Sequence, residues 1–164
     1  REAYLEVISC KTAALFAAAC ELGAVVADKP ALADTLRQFG QALGMAFQLV
    51  DDALDYASDA ATLGKTPGDD FREGKVTLPV LLAYEAGNAE EKAFWRRTFS
   101  EREQREGDFA TACHSIIRHG AIAATFTAAR AYAGQAAISL KPLPDRPEKR
   151  ALTEIVDFCV ERMY

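Results

Sequence analysis

Between Gln48 and Asp55 the chain reads Gln-Leu-Val-Asp-Asp-Ala-Leu-Asp, and a glycine-punctuated stretch follows, Leu63-Gly-Lys-Thr-Pro-Gly-Asp-Asp-Phe-Arg-Glu-Gly-Lys-Val-Thr-Leu-Pro79. On a helix Asp51 and Asp55 stand four apart and Asp52 and Asp55 three apart, which brings their Cβ atoms to roughly 5–6 Å from one another. Like charges at that separation repel, and the cost grows as water is excluded unless a cation lies between them. Oxygen-only ligands favour Mg²⁺ or Ca²⁺ over zinc, and Mg²⁺ characteristically combines one or two carboxylates with waters and substrate phosphates. Asp51, Asp52 and Asp55 are therefore the candidate metal ligands, and a diphosphate is the natural substrate. Lys65 and Lys75 lie in the following loop, where they could fold back over a bound anion.

The loop is not a nucleotide-binding P-loop. Counting back from Gly74-Lys75 puts Asp69 where that motif needs its first glycine and Val76 where it needs Ser or Thr; Gly64-Lys65-Thr66 fails because position 59 is Asp. Lys11 is a third cation, placed just before a nearly all-apolar helix half. There an ammonium would be costly to desolvate without an anion, either a carboxylate of a neighbouring helix or a substrate phosphate. Thr12 beside it carries a hydroxyl that can bond a substrate or its own i−4 carbonyl.

The elements that must position these groups read as helices throughout. A long helix is expected over Ala3–Ala27, and its second half from Thr12 is apolar on nearly every side, which predicts burial on several faces. Asp28-Lys-Pro30 breaks it. A second long helix is expected over Ala31–Ala57, with Leu43, Ala46, Phe47, Val50, Leu54 and Ala57 in one stripe. Gln48, Asp51, Asp52 and Asp55 centre roughly 140° away at 100° per residue. Gly40 and Gly44 fall on that acidic side, and a helix-interior glycine, costing about 1 kcal/mol relative to alanine, implies that something approaches the backbone closely there. After a loop over residues 58–74, helical patterns resume at Val76–Ala86, Ala89–Glu106, Asp108–Arg118 and Ala121–Leu140. A last helix ends near Arg162, with Asp145 and Glu148 spaced as a capping box. No stretch alternates with period two over strand length. The fold class is all-α, a multi-helix bundle forming a single domain over residues 1–164.

Composition narrows the function classes. At 164 residues, half of them hydrophobic, the chain is long enough for one core. Its net charge of −5 and lack of basic runs argue against nucleic acid. Cys10, Cys20, Cys113 and Cys159 show no CxxC spacing and read as reduced, buried thiols of a cytoplasmic protein. His114 and His119, five apart, match no zinc pattern. The longest uninterrupted apolar run, Ala13–Cys20, is eight residues, short of the roughly 18 a membrane span needs, so no transmembrane segment is expected. No leader pattern is visible. The chain opens on Arg1 directly into a helical pattern, like a piece of something longer.

Taken together, Lys11-Thr12-Ala13, Gln48-Leu-Val-Asp51-Asp52-Ala-Leu-Asp55, Gly64-Lys65, Gly68, Asp70 and Glu73-Gly74-Lys75-Val-Thr-Leu-Pro79 resemble the second aspartate-rich half of the trans-polyprenyl diphosphate synthases. The run Ile8-Ser-Cys-Lys-Thr-Ala-Ala-Leu-Phe16 is similar to the longer-chain, octaprenyl-like branch, and the resemblance extends to Phe158-Cys-Val-Glu-Arg162. It implies the all-α isoprenoid synthase type of bundle and an enzyme joining isopentenyl diphosphate to an allylic diphosphate. In such an enzyme Mg²⁺ bridges acidic residues and the allylic diphosphate, and ionisation gives an allylic cation attacked by the isopentenyl double bond. By position, Asp51, Asp52 and Asp55 would hold metal, Lys11 and Lys65 would grip the allylic diphosphate, Lys75 would support them, and Thr12 and Gln48 would sit near the developing cation. A homodimer is also implied. The family carries two facing aspartate-rich motifs, whereas this chain has no second DDxxD segment, so alone it should be inactive or nearly so. Two other readings stand beside this one, a non-catalytic helical subunit of a heteromeric prenyltransferase and a related terpene cyclase. The intact acid cluster disfavours the subunit, and the Gly-Lys loop disfavours the cyclase.

Overall fold

A computed structural model describes residues 1–57 and 67–161, and every regular element among them is helical. Helix α1 (Glu2–Ile8) runs through a π-helical turn (Ser9–Ala13) into α2 (Ala14–Val26); a 3₁₀ turn at Pro30–Leu32 leads into α3 (Ala33–Ala57). Then follow α4 (Asp69–Arg72), α5 (Leu78–Ala86), α6 (Ala89–Trp95) with a π-helical turn Arg96–Ser100, α7 (Asp108–Arg118), α8 (Ala121–Ser139) and α9 (Pro147–Glu161). The expected long helices are present. The first one contains a π turn that periodicity did not reveal, and Asp28 ends it in a left-handed conformation, φ 52°.

The described residues fall into two compact units, one of residues 2–50 and 126–161 and the other of residues 1, 51–57 and 67–125. The core of the first joins Phe39, Ala42, Leu43 and Ala46 of α3 to Ala133, Ala136 and Leu140 and to Val156 and Cys159 of α9. Phe39 and Leu140 are fully buried, each worth about 1.5–3 kcal/mol in transfer terms. The glycine reading of α3 holds, and the approaching group is the first helix itself. A Cβ on Gly40 would lie 2.4 Å from the Phe16 carbonyl oxygen, and one on Gly44 would lie 2.6 Å from the Ala13 Cα. Two backbones are thus in contact where small residues allow it, and this fixes the π turn against α3.

Burial on all sides of α2 is not observed. Ala13, Ala17 and Ala24 are buried, whereas Leu15 (74 %) and Val26 (78 %) are exposed, as are Leu22 and Val25. Packing on α3 uses one stripe of small residues and leaves the larger apolar ones outside. The contiguous-run count also understated this segment: Glu2–Val26 is long and apolar enough by length and composition to cross a membrane, with 22 % of its most apolar window buried. Cys10, Cys20, Cys113 and Cys159 form no disulfide, and Cys10 is exposed rather than buried.

In the second unit Tyr56, Phe71, Val80, Ala83, Trp95, Ala112, Ile116 and Ala121 form the core. Its aromatic rings meet edge-on or tilted, as between Phe71 and Phe99 at 5.5 Å and between Phe71 and Phe109 at 5.8 Å. A capping box starts α6: the Glu91 amide donates to Asn88 Oδ1 at 2.9 Å and the Asn88 amide to Glu91 Oε2 at 2.8 Å. The box expected at Asp145 and Glu148 is absent. Pro147 is the first helical residue of α9, which leaves Asp145 one position too early, and its carboxylate instead accepts from Arg150 Nε at 3.2 Å and Nη2 at 3.1 Å. The helix expected through Glu106 stops after Ser100. Arg97 turns back there to donate to the Glu103 carbonyl at 2.6 Å and, through both Nη atoms at 2.9 Å, to the Asp108 carboxylate, which also accepts from the Arg105 amide at 2.7 Å.

Two outcomes are expected. Gly44→Ala destabilises the chain by about 1–3 kcal/mol through overpacking. Gly134→Ala, in α8 with nothing near its missing Cβ, stabilises by up to about 1 kcal/mol; urea denaturation of both variants checks the opposite signs. The Arg97 guanidinium holds the Asp108 carboxyl below the usual carboxylate range. The unfolded chain therefore binds the proton more readily, and this stabilisation is complete above an unfolded pKa of about 3.9 and is lost as pH falls through the lower folded value. Asp108→Asn should lower stability at neutral pH, and the gap to the parent should close below about pH 4 in denaturation curves.

Candidate functional site

Helix α3 ends in the acidic run. Asp52 is buried, 3 % exposed, while Asp51 and Asp55 are half-buried, so the cluster is not a solvated face. One of the three carboxylates is engaged by backbone amides of the following turn. Asp55 accepts the Asp69 amide on Oδ1 at 3.2 Å and the Asp70 amide on Oδ2 at 3.1 Å, and its carbonyl accepts the Gly68 amide at 3.1 Å. Burial and then the neighbouring Asp70 charge push its carboxyl above the ordinary value, and these backbone donors hold it back. Among the described residues no group of three His, Cys, Asp or Glu side chains could hold a metal ion by itself. The oxygen donors of Asp51 and Asp52 suit a hard divalent cation whose coordination is completed by water and phosphate oxygens.

The turn that Asp55 receives is built for its shape. Gly68 has φ 86°, and a Cβ there would meet the Phe109 ring at 2.5 Å, so both the backbone and the space require glycine. Phe71, two residues into α4, is buried in the aromatic core, and its carbonyl accepts from Gln104 Nε2 at 2.7 Å. Lys75 is not a free cation. Its Nζ donates to Glu73 Oε2 at 2.6 Å and to Asp70 Oδ1 at 3.0 Å, and these two carboxylates, Glu73 first, hold it firmly protonated. Asp70, quoted in the loop pattern without a role, is thus a central member of this corner. Lys65 lies outside the described residues.

In the other unit the π turn carries Lys11 and Thr12. Its signature is the Ala14 amide reaching back five residues to the Ser9 carbonyl, and such turns occur frequently at functional sites. Thr12 Oγ1 donates to Gln48 Oε1 at 2.7 Å, a partner that neither option considered for its hydroxyl included. Below it Gln41 Nε2 donates to Ser9 Oγ at 2.8 Å. Sequence reading missed that second rung, although the signal was available: Gln41 and Gln48 are seven apart and so share one face of α3. A cavity of about 650 Å³ adjoins, lined in part by Leu5, Ser9, Gln41, Met45 and Tyr132. Lys11 is exposed, so no ammonium is desolvated and the sequence argument for a compelled partner does not apply.

Were Asp51 and Asp52 to hold a cation together with phosphate oxygens, metal and diphosphate would bind synergistically. Isothermal titration of this chain should give Mg²⁺ alone only weak binding and magnesium pyrophosphate at least about tenfold tighter binding, abolished in Asp51→Asn. Equal affinities would count against a shared shell.

Residues 1–116 match the family model for polyprenyl synthetases. The chain is 38 % identical over 163 residues to octaprenyl diphosphate synthase of Haemophilus influenzae, covering 98 % of this chain and 49 % of that protein. It is 36 % identical over 160 residues to an all-trans-nonaprenyl-diphosphate synthase of Rhodobacter capsulatus, covering 98 % and 49 %. The structure of a polyprenyl synthase from Caulobacter crescentus, complexed with calcium and isoprenyl diphosphate, superposes with a TM-score of 0.94 at 49 % identity, covering 100 % of this chain and 50 % of that one. The fold is that all-helical one, and the chain spans about half the length of the relatives it matches.

Proposed function

Because the chain belongs to the polyprenyl synthetase family, we propose that it forms the second aspartate-rich half of a Mg²⁺-dependent prenyltransferase condensing isopentenyl diphosphate with an allylic diphosphate. The observation that carries this reading is the hydrogen bond from Thr12 to Gln48, two motif residues 36 positions apart. With the Gln41–Ser9 bond it forms one of two polar rungs between the π turn and α3. Asp51 and Asp52 hold the metal, which when bound neutralises charge on the departing diphosphate. Lys11, exposed on the π turn, offers a mobile ammonium to the phosphate oxygens, and Lys65 is assigned the same task from its position in the sequence. Lys75, already neutralised by Glu73 and Asp70, contributes as part of a fixed turn rather than as a naked charge.

Thr12 and Gln48 act on the other end of the bond that breaks. With its hydrogen given to Gln48 Oε1, the Thr12 oxygen keeps its lone pairs available to face a developing allylic cation, and a preorganised dipole needs no reorganisation as charge appears. Excess positive charge in that place would oppose ionisation, so neutral acceptors suit it better than a lysine. The same reading includes a homodimer and cytoplasmic location; the thiols without disulfides are compatible with a reducing compartment.

The isolated 164-residue polypeptide should show no prenyl transfer with radiolabelled isopentenyl diphosphate. Fused to its complementary half, it should be active, and Asp51→Asn should then lower kcat by about 10²-fold or more. Thr12→Val should lower kcat with little change in the KM of either diphosphate. Unchanged turnover and Mg²⁺ dependence in Asp51→Asn would remove the site assignment.

A further inference from the structure

We infer that Asp55, although part of the acidic run, is a positioning residue rather than a metal ligand: it fastens the Pro67–Lys75 turn to the end of α3 and so sets where Asp70 and Lys75 stand. The inference rests on the proposed prenyltransferase reading. Three bonds run from this one residue to three consecutive amides, those of Gly68, Asp69 and Asp70. Each carboxylate oxygen is engaged by its own N–H, a charge-assisted arrangement stronger than neutral hydrogen bonds. An oxygen already polarised by an amide is a poorer donor to a cation. The side chain also fails to form a three-acid cluster with its neighbours among the described residues.

The other end of the turn is equally specified. Phe71 inserts into the aromatic core, Gln104 holds its carbonyl, and Gly68 fits only as glycine under the Phe109 ring. Asp70 and Lys75 then form an ion pair at 3.0 Å, reinforced by the Lys75 amide donating to the Asp70 carbonyl at 2.8 Å. The turn is therefore a rigid piece, and Asp55 bonds it to α3. Removing the carboxylate frees the piece without unmaking it, and Asp70 and Lys75 move together relative to the Asp51–Asp52 end of the same helix.

The test uses a chimera in which these 164 residues replace the matched half of the Caulobacter crescentus polyprenyl synthase, with farnesyl diphosphate as the allylic probe. Asp55→Ala should speed hydrogen exchange of the Asp69 and Asp70 amides about tenfold or more. It should raise the KM for farnesyl diphosphate about tenfold while leaving the half-activating Mg²⁺ concentration within about twofold of the parent. Asp55→Asn keeps one acceptor oxygen without the charge, so it should fall between the two and rescue much of the KM, which a metal ligand would not allow. The inference is overturned if both variants raise the Mg²⁺ requirement as far as Asp51→Asn does, or if exchange at Asp69 and Asp70 is unchanged. Faster exchange with an unaltered KM also overturns it, leaving a merely structural bond. Should Asp55→Ala fail to fold, the Asn variant decides by the same readouts. Should Asp51→Asn leave the Mg²⁺ requirement unmoved, the metal assignment fails instead, and exchange at Asp69 and Asp70 still decides for the latch.

Discussion

Negative charge gathered at the end of one helix is the constraint around which this chain is arranged. Asp51, Asp52 and Asp55 follow one another within five residues, and burial, then the nearby Asp70 charge, raises the affinity of Asp55 for a proton. Such a concentration is unstable in a partly buried setting unless each charge is met. The Asp55 carboxylate accepts the Asp69 and Asp70 amides, its carbonyl accepts the Gly68 amide, and Asp70 pairs with Lys75. Under the proposed reading, a cation shared by Asp51, Asp52 and phosphate oxygens would couple metal binding to substrate binding.

Backbone contact between the first helix and α3 plays the corresponding part in the other unit. Gly40 and Gly44 let the Phe16 carbonyl and the Ala13 Cα come closer than any side chain would permit. That approach brings Thr12 within hydrogen-bonding distance of Gln48 and Ser9 within reach of Gln41. The π turn supplies the remaining adjustment, since an extra residue in one turn re-aims Lys11 and Thr12 without breaking the helix. Exposed Leu15, Leu22, Val25 and Val26 on the same helix fit a chain that spans about half the length of its relatives. That helix therefore presents a face of large apolar side chains.

Some of this was legible in the residues and some was not, and the division has physical causes. Helix existence followed from periodicity. Helix ends depended on single side chains: Arg97 folding onto Asp108 stopped one helix early, and Pro147 displaced a capping box that spacing alone suggested. The Asn88–Glu91 box went unnoticed because it obeys the same rule at a place where no apolar run drew attention to it. The acid cluster, the Lys-Thr pair and the close approach at two glycines were readable because residue type and spacing determine them locally.

The order of motifs and the 3.6-residue period, acting through neighbours a few positions apart, sufficed to determine an all-helical chain of the polyprenyl synthetase family carrying Asp51, Asp52, Lys11, Thr12 and Gln48. That Asp55 faces the backbone of a distant turn was decided only by tertiary structure. Asp55 differs from Asp51 in nothing a sequence records; the difference is that Gly68, Asp69 and Asp70 return to it from more than a dozen residues away. Hydrogen bonds between distant segments depend on where the intervening chain places them, and no local propensity encodes that.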